Sequence, residues 1–397
     1  MADDEPEPSS TIDAGTGPAA PTCSVQPGPQ PLSVDATYAT TLFDFPTQGA
    51  ALAPMLTTAI DDSGRLLVLA TRRADRTAPA CASWLARFTE DGRSDASFGH
   101  QGVLAAPAGD CVDPFVGFDA SGRILSSGMH ATGAHFIRRL LDSGQVDTSF
   151  GGTGDVTVGS NGSETGVQQL AAVGDTIAAA VLSATGLDIL HIDEDGTLGA
   201  SFPFDPPCGV SAMSATAQAV FLGSGASVYA LRPDGAPVAT FGTGGVAPAF
   251  TPDPADEEQL GSVVPAPDGS VFALRIVVAS TGDDTGNGSL VHLQAGGAPD
   301  PAFGTAGEIA LTAFPQSFVR RCDGAGVVLG GWGLEDQVVE TVVDASGNGP
   351  TTWFPWSGVG AGIGSPIAIA LDPWTGSTVL ARTTAADGQI ELLRLEP

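Results

Sequence analysis

An all-β fold, a seven-bladed β-propeller of four-stranded blades, is predicted by three features of the sequence. A Phe-Gly unit returns along the chain, its copies stand about 50 residues apart, and Gly/Asp turns cut the sequence between them into short apolar runs. Phe98, Phe150, Phe241 and Phe303 are each followed by Gly, with a second Gly four residues after the Phe (Gly102, Gly154, Gly245, Gly307). Phe45 and Phe354 keep the second Gly (Gly49, Gly358) with Pro in place of the first, and Phe202 begins a degenerate copy. The Phe-to-Phe intervals are 53, 52, 52, 39, 62 and 51 residues. This period is too long for a short-repeat solenoid and suits one four-stranded blade.

The positions around the Phe extend the unit. Six residues before it stand Gly92, Gly144, Gly196, Gly235, Gly297 or Asn348, which predicts a shared turn with positive φ. Asp95, Asp147 and Asp300 recur three before it, and Arg87, Arg139, His191 and His292 eleven before it. The Phe is the apolar wedge each blade is expected to bury against its neighbour. Within one unit, Asp61-Asp62-Ser63-Gly64 turns into the apolar run Arg65–Ala70, and Trp84–Phe88 leads into Thr89-Glu90-Asp91-Gly92.

In order, residues 1–32 are rich in Pro, Ser, Gly and acidic residues and read as a disordered tail or tether. Residues 33–397 read as a single propeller domain, with blades at 50–107, 108–159, 160–209, 210–250, 251–312 and 313–362. The remainder supplies three strands, around Ile367–Leu371, Thr378–Arg382 and Ile390–Leu395. Arg394 stands where Arg87 stands, but no Phe motif follows it. That motif is expected at the other end of the chain, at Phe45. The seventh blade would then take its outer strand from near residue 45, pairing N-terminal with C-terminal strands and removing an exposed edge.

Composition narrows the function. The formal net charge is −30, from 45 acidic and 15 basic residues, and every basic residue is Arg. An acidic surface disfavours nucleic acid and anionic membranes as partners. The absence of Lys excludes a Walker A loop and Schiff-base chemistry. No apolar stretch is long enough for a transmembrane segment. The acidic N-terminal stretch resembles the tether that follows the lipid-bearing cysteine of a bacterial lipoprotein. The expected location is therefore periplasmic, outer-surface or extracellular, with the export signal absent from this chain.

The pattern Asp-Gly-x-x-Asp-x-x-Phe-Gly-x-x-Gly, preceded by a strand end such as Arg139-Leu140, resembles the delta-60 repeat family of bacterial propeller-like proteins over about residues 40–397. The resemblance implies export or a surface location. It implies no common reaction and carries over no catalytic residue.

Function is expected where the repeat is interrupted, above all in the 62-residue interval. Asp253, Asp256, Glu257 and Glu258 lie in the loop entering that blade, and Asp283, Asp284 and Asn287 between its second and third strands. Both loop types emerge on one propeller face. Converging carboxylates there suit Ca²⁺, with Asp283, Asp284 and Asn287 as its ligands; the alternative is a solvated acidic loop. Trp332 falls in a loop of the same face and could stack on a sugar. Of five cysteines, Cys81 and Cys111 map to that face in adjacent units and form the expected disulfide. His130 and His135 flank one loop with no carboxylate or Cys beside them, which argues against a metal pair. No hydrolase signature appears and no catalytic residue is assigned. The expected function is an exported or surface-tethered, monomeric binding or scaffold module for protein or glycan. The alternative is a Ca²⁺-dependent hydrolase or lyase with its site on the loop face.

Overall fold

The structure, a computed structural model, describes residues 33–35, 37–38, 42–44, 55–73, 81–159, 166–183, 186–206, 209–253, 257–278, 288–311, 314–321, 326–332, 337–344, 346–348, 351–355, 367–372, 375–383 and 389–396. All regular structure among them is β. Two short strands come first, β1 (Ser33–Val34) and β2 (Leu42–Asp44). Blade 1 holds β3 (Met55–Ile60), β4 (Leu66–Arg73), β5 (Cys81–Phe88) and β6 (Val103–Ala105). Blade 2 holds β7 (Cys111–Phe118), β8 (Ile124–Met129), β9 (His135–Leu140) and β10 (Asp155–Gly159). Blade 3 holds β11 (Gly166–Val173), β12 (Thr176–Ser183), β13 (Gly186–Ile192) and β14 (Leu198–Phe204). Blade 4 holds β15 (Ala212–Ala215), β16 (Val220–Ser224), β17 (Ser227–Leu231) and β18 (Val246–Pro248). Blade 5 holds β19 (Glu257–Pro265), β20 (Val271–Val278), β21 (Gly288–Leu293) and β22 (Glu308–Leu311). Blade 6 holds β23 (Phe314–Arg320), β24 (Gly326–Trp332), β25 (Gln337–Asp344) and β26 (Thr351–Pro355). Blade 7 is β27 (Ile367–Leu371), β28 (Thr378–Thr383) and β29 (Gln389–Glu396), completed by β1 and β2, which both pair with β29.

Every strand pairing is antiparallel; blades 1–6 follow the chain as meanders, and blade 7 does so except where β1 and β2 pair with β29. First strands of adjacent blades pack against one another, and β27 meets β3, so the ring closes. The second strand of a blade has a neighbouring blade on both faces. That is why Leu66–Ala70 and Ala178–Val181 are buried without alternation. Outer strands are short or exposed, as in β14.

The repeat motif is an inter-blade latch. Arg87, buried in β5, donates through Nε to Asp95 Oδ2 (2.7 Å) and through Nη1 to the Asp142 carbonyl in the next blade (2.5 Å). Its guanidinium lies 4.8 Å from the Phe98 ring centroid. Gly99 N donates to the Ser143 carbonyl of the same turn (2.9 Å). One blade on, Arg139 binds Asp147 Oδ2 (2.7 Å) and the Glu194 carbonyl (2.5 Å), and Gly151 N reaches Asp195 O (2.7 Å). In blade 5, His292 Nδ1 meets Asp300 Oδ2 at 2.9 Å in the role of the Arg. His191 does not follow: it faces Asp193 and Thr176 instead. The wedge residues Phe98, Phe150, Phe241 and Phe303 are at most 1% exposed.

The turn glycine carries a steric reason. Gly144 has φ +81°, and a Cβ there would sit 2.8 Å from the Phe98 ring. Asn348, expected in this place in blade 6, is not among the residues with positive φ; Gly347, at +79°, is. Its amide donates to the Asp344 carbonyl (3.0 Å), and a Cβ on it would meet Gly304 N, as one on Gly297 would meet Gly242 N. The turn is therefore one residue offset from the sequence alignment.

Closure also differs from the sequence expectation in one respect. β2 supplies an outer strand to blade 7, Leu42 opposite Glu391. The closing aromatic is Tyr38, however, and Phe45 lies outside the described residues. Asp35 N donates to the Arg394 carbonyl (3.0 Å), as Asp95 N does to Arg87 O (2.9 Å). Asp35 Oδ1 accepts from Thr37 N (2.8 Å) and Oγ1 (2.6 Å), as Asp95 Oδ1 does from Ser97. Tyr38 is 7% exposed and packs on Gly92, with the Arg394 guanidinium 5.9 Å from its ring. Asp35-Ala36-Thr37-Tyr38 is thus the seventh copy, with Tyr for Phe and without the following glycine. The Tyr38 hydroxyl is buried with no hydrogen-bond partner among the described residues, and burial pushes its pKa up to about 12. Tyr38→Phe should therefore stabilise by about 1 kcal/mol, since it removes an unsatisfied buried hydroxyl. Tyr38→Ala should destabilise by about 3 kcal/mol through the cavity it leaves. Urea unfolding measures both, and a destabilised Tyr38→Phe would show that the hydroxyl has a partner.

Candidate binding site

Antiparallel meanders place the first and third turns of every blade on one face, where the latches lie. Loops between second and third strands, and connections between blades, emerge on the other. Cys81 begins β5 and Cys111 begins β7, so both reach this second face, where a disulfide joins them (S–S 2.00 Å, Cα–Cα 5.3 Å). Buried hydroxyls continue the seam between blades 1 and 2. Thr71 Oγ1 donates to Val112 O (2.7 Å), and Ser83 Oγ accepts from Val112 N (3.1 Å).

Beside the disulfide lies a charged cluster on the side of blade 2 that faces blade 1. Asp155 stands opposite Arg138 in the β10–β9 register, and Arg138 binds it twice, Nε to Oδ1 (2.7 Å) and Nη2 to Oδ2 (2.6 Å). Arg138 Nη2 also reaches Asp110 Oδ2 (3.3 Å). The His130 ring lies between the two carboxylates, Nδ1 at 3.2 Å from Asp110 Oδ2 and Nε2 at 3.6 Å from Asp155 Oδ2. Phe136 backs both side chains, 4.3 Å from the His130 ring and 4.6 Å from the Arg138 guanidinium. The Arg138 pKa is raised; burial opposes the shift, but the Asp155 and Asp110 carboxylates outweigh it. Beneath the cluster, Leu85, Leu104, Val112, Val116 and Trp84 line a cavity of about 170 Å³ with Arg138 in its wall.

Chemically, the polar groups of this cluster are engaged with one another. Both His130 nitrogens face carboxylates, and Arg138 occupies both acids. What it offers is a fixed set of charges, with His130 at 26% side-chain exposure beside an apolar recess. His135 does not join it. Neighbours along a strand point to opposite sides, so His135 turns away and packs on Gly166. Neither of its ring nitrogens has a hydrogen-bond partner among the described residues.

The residues expected from sequence fall as follows. Asp256, Asp283, Asp284 and Asn287 lie outside the described residues. Glu257 opens β19 opposite Val278, and Trp332 ends β24 opposite Val338. Glu258 is an internal ion-pair partner: its side chain is 1% exposed and bound by Arg275, which also holds Glu308 (3.0 Å) and lies 4.8 Å from the Phe250 ring centroid. Among the described residues, no group of three His, Cys, Asp or Glu is placed to hold a metal. The cluster of Asp110, His130, Arg138 and Asp155 was missed because its members are up to 45 positions apart (110 to 155). Only the unusual Arg138-Arg139 pair hinted that β9 presents a cation to each side.

The sequence matches no protein-family model and no curated protein. Its fold resembles a chain in the crystal structure of the mitotic checkpoint complex: TM-score 0.52, 12% identity, covering 100% of this chain and 98% of that one. Weaker matches are the Cps50 (Swd1) β-propeller domain of Myceliophteria thermophila and a protein of unknown function from Bacteroides caccae. The first has TM-score 0.46 and 10% identity, covering 89% and 99%. The second has TM-score 0.38 and 12% identity, covering 68% and 92%. At these identities the likeness is one of fold.

Proposed function

We propose that this chain is an exported propeller of the delta-60 repeat kind that binds a protein or glycan through the face opposite its latches. One contrast carries the reading. On the latch face, turn after turn is bonded to the next blade by the repeat's own residues. The other face departs from the repeat, with a covalent bond between blades, a preset cluster of charges and an apolar recess. Disulfides persist in oxidising compartments, which supports export. An acidic surface without lysine directs the search to protein and glycan partners rather than nucleic acid.

Glycan and peptide arrays probed with the purified protein test the reading. A bound ligand should lose about tenfold affinity with His130→Ala. It should bind normally to Arg93→Gln, which alters an exposed cation on the latch face. Equal loss in both variants, or loss only in Arg93→Gln, would assign binding elsewhere. Thiol alkylation in intact cells tests the location: Cys81 and Cys111 should be protected until reductant is added.

A further inference from the structure

The latch of blade 4 is missing its charged parts. The position of Arg87 and Arg139 is taken by Ala230, that of Asp95 and Asp147 by Val238, and that of Asp142 and Glu194 in the following blade by Ala295. The backbone part survives: Gly242 N donates to Gly296 O (2.8 Å), and Phe241 remains 1% exposed. Where blades 1 and 2 hold a guanidinium, blades 4 and 5 leave a cleft of about 1080 Å³. Ala230, Val238 and Phe221 wall it on one side, Val264 and Pro265 on the other.

Among the described residues, the charges around this cleft are not all paired with one another. Arg232 pairs with Asp234 (3.1 Å). Asp268 accepts from Ser270 N (2.9 Å) and Oγ (2.7 Å), bonds that hold its carboxyl below the usual range. Arg320, from the end of β23, also lines the cleft, and its Nη1 is buried with no hydrogen-bond partner among the described residues. The chain has three acidic residues for every basic one, 45 to 15, so acids were available to pair with it. A buried N–H left without an acceptor costs free energy, and a guanidinium is shaped to receive a carboxylate or sulfonate on two N–H groups.

We propose that this cleft binds an amphipathic organic anion, its acid group on Arg320 and its alkyl or aryl body against Phe221, Phe241, Val238 and Val264. The missing latch arginine makes the room, and Arg320, whose Nη1 has no partner among the described residues, supplies the charge. The site lies on the latch face, apart from the disulfide face, and stands or falls separately from the binding proposed there.

Fluorescence titration with anilinonaphthalene sulfonate tests it, with octanoate and octyltrimethylammonium as competitors. Binding should saturate at one probe per folded chain and yield to octanoate but not to the cation. Arg320→Gln should weaken it by about tenfold. Ala230→Arg with Val238→Asp, which rebuilds the latch, should abolish it while the melting temperature holds or rises. This second variant decides the matter if Arg320→Gln fails to fold. No saturable binding, displacement by both competitors alike, or unchanged binding in the rebuilt-latch variant would overturn the site.

Discussion

Phe98→Ala should cost about 3–5 kcal/mol of unfolding free energy, in the upper range for single substitutions. Phe98 is fully buried among Leu67, Leu69 and Leu85 of blade 1 and Val112, Val116, Ile124 and Leu140 of blade 2. Truncation therefore removes apolar area from both blades at once. The gap cannot close easily, because the Gly144 turn is pinned from behind by Gly99 N and Arg87 Nη1. It also strips the ring from beneath the Arg87 guanidinium. Gly144→Ala should destabilise for the complementary reason, since its Cβ would strike the Phe98 ring and its φ is +81°. Urea unfolding followed by circular dichroism gives both values. A loss under about 1 kcal/mol for Phe98→Ala would mean that the blades are not wedged together by this residue.

Arg139→Ala should cost a similar amount, about 3–5 kcal/mol, for an electrostatic reason. Arg139 is 1% exposed, and its partner Asp147 is 5% exposed. Removing one member of a buried pair leaves the other charge uncompensated. Blade 4 shows how the fold tolerates the loss: Ala230 and Val238 replace both members together. The double variant Arg139→Ala with Asp147→Val should accordingly be more stable than Arg139→Ala alone. If it is less stable, the pair is not the reason the arginine matters.

The same latches set the response to acid. Burial pushes the Asp147 carboxyl up, but hydrogen bonds from Ser149 and Arg139 outweigh it and hold the pKa below its ordinary 3.8. Asp95 is lowered likewise, against burial, by Ser97 and Arg87, and Asp142 by Arg65 and Arg87. Groups lowered on folding stabilise fully above their unfolded value and lose that contribution as pH falls through the folded value. The unfolding midpoint should therefore hold down to about pH 4 and fall below it. Protonation of the acidic surface relieves repulsion over the same range, so variants with a common surface are the informative comparison. Acidification should separate native protein from Arg139→Ala/Asp147→Val by a progressively smaller margin.

Spacing in the sequence determined the architecture of this protein. Gly before the Phe and Gly after it are backbone requirements, and the Phe, Asp and Arg touch one another within a single repeat. Local separation in sequence is local separation in space there, so blade number, strand order and latch were legible. The closing copy at Tyr38 was legible in principle, since Asp35-Ala36-Thr37-Tyr38 keeps the three-residue spacing. Exchange of Phe for Tyr and loss of the glycine hid it. What only the tertiary structure decided lies across strands of a blade and between blades. Folding of the blade 2 meander sets Arg138 and Asp155 of one hairpin against Asp110 and His130, beside a cysteine bonded to the neighbouring blade. Pairing of β19 with β20 turns Glu258, a surface acid by its sequence, into the buried partner of Arg275. Packing of the blades turns the omission of one arginine at Ala230 into a cleft, because the space a latch fills belongs to two blades and is visible only once they are packed together.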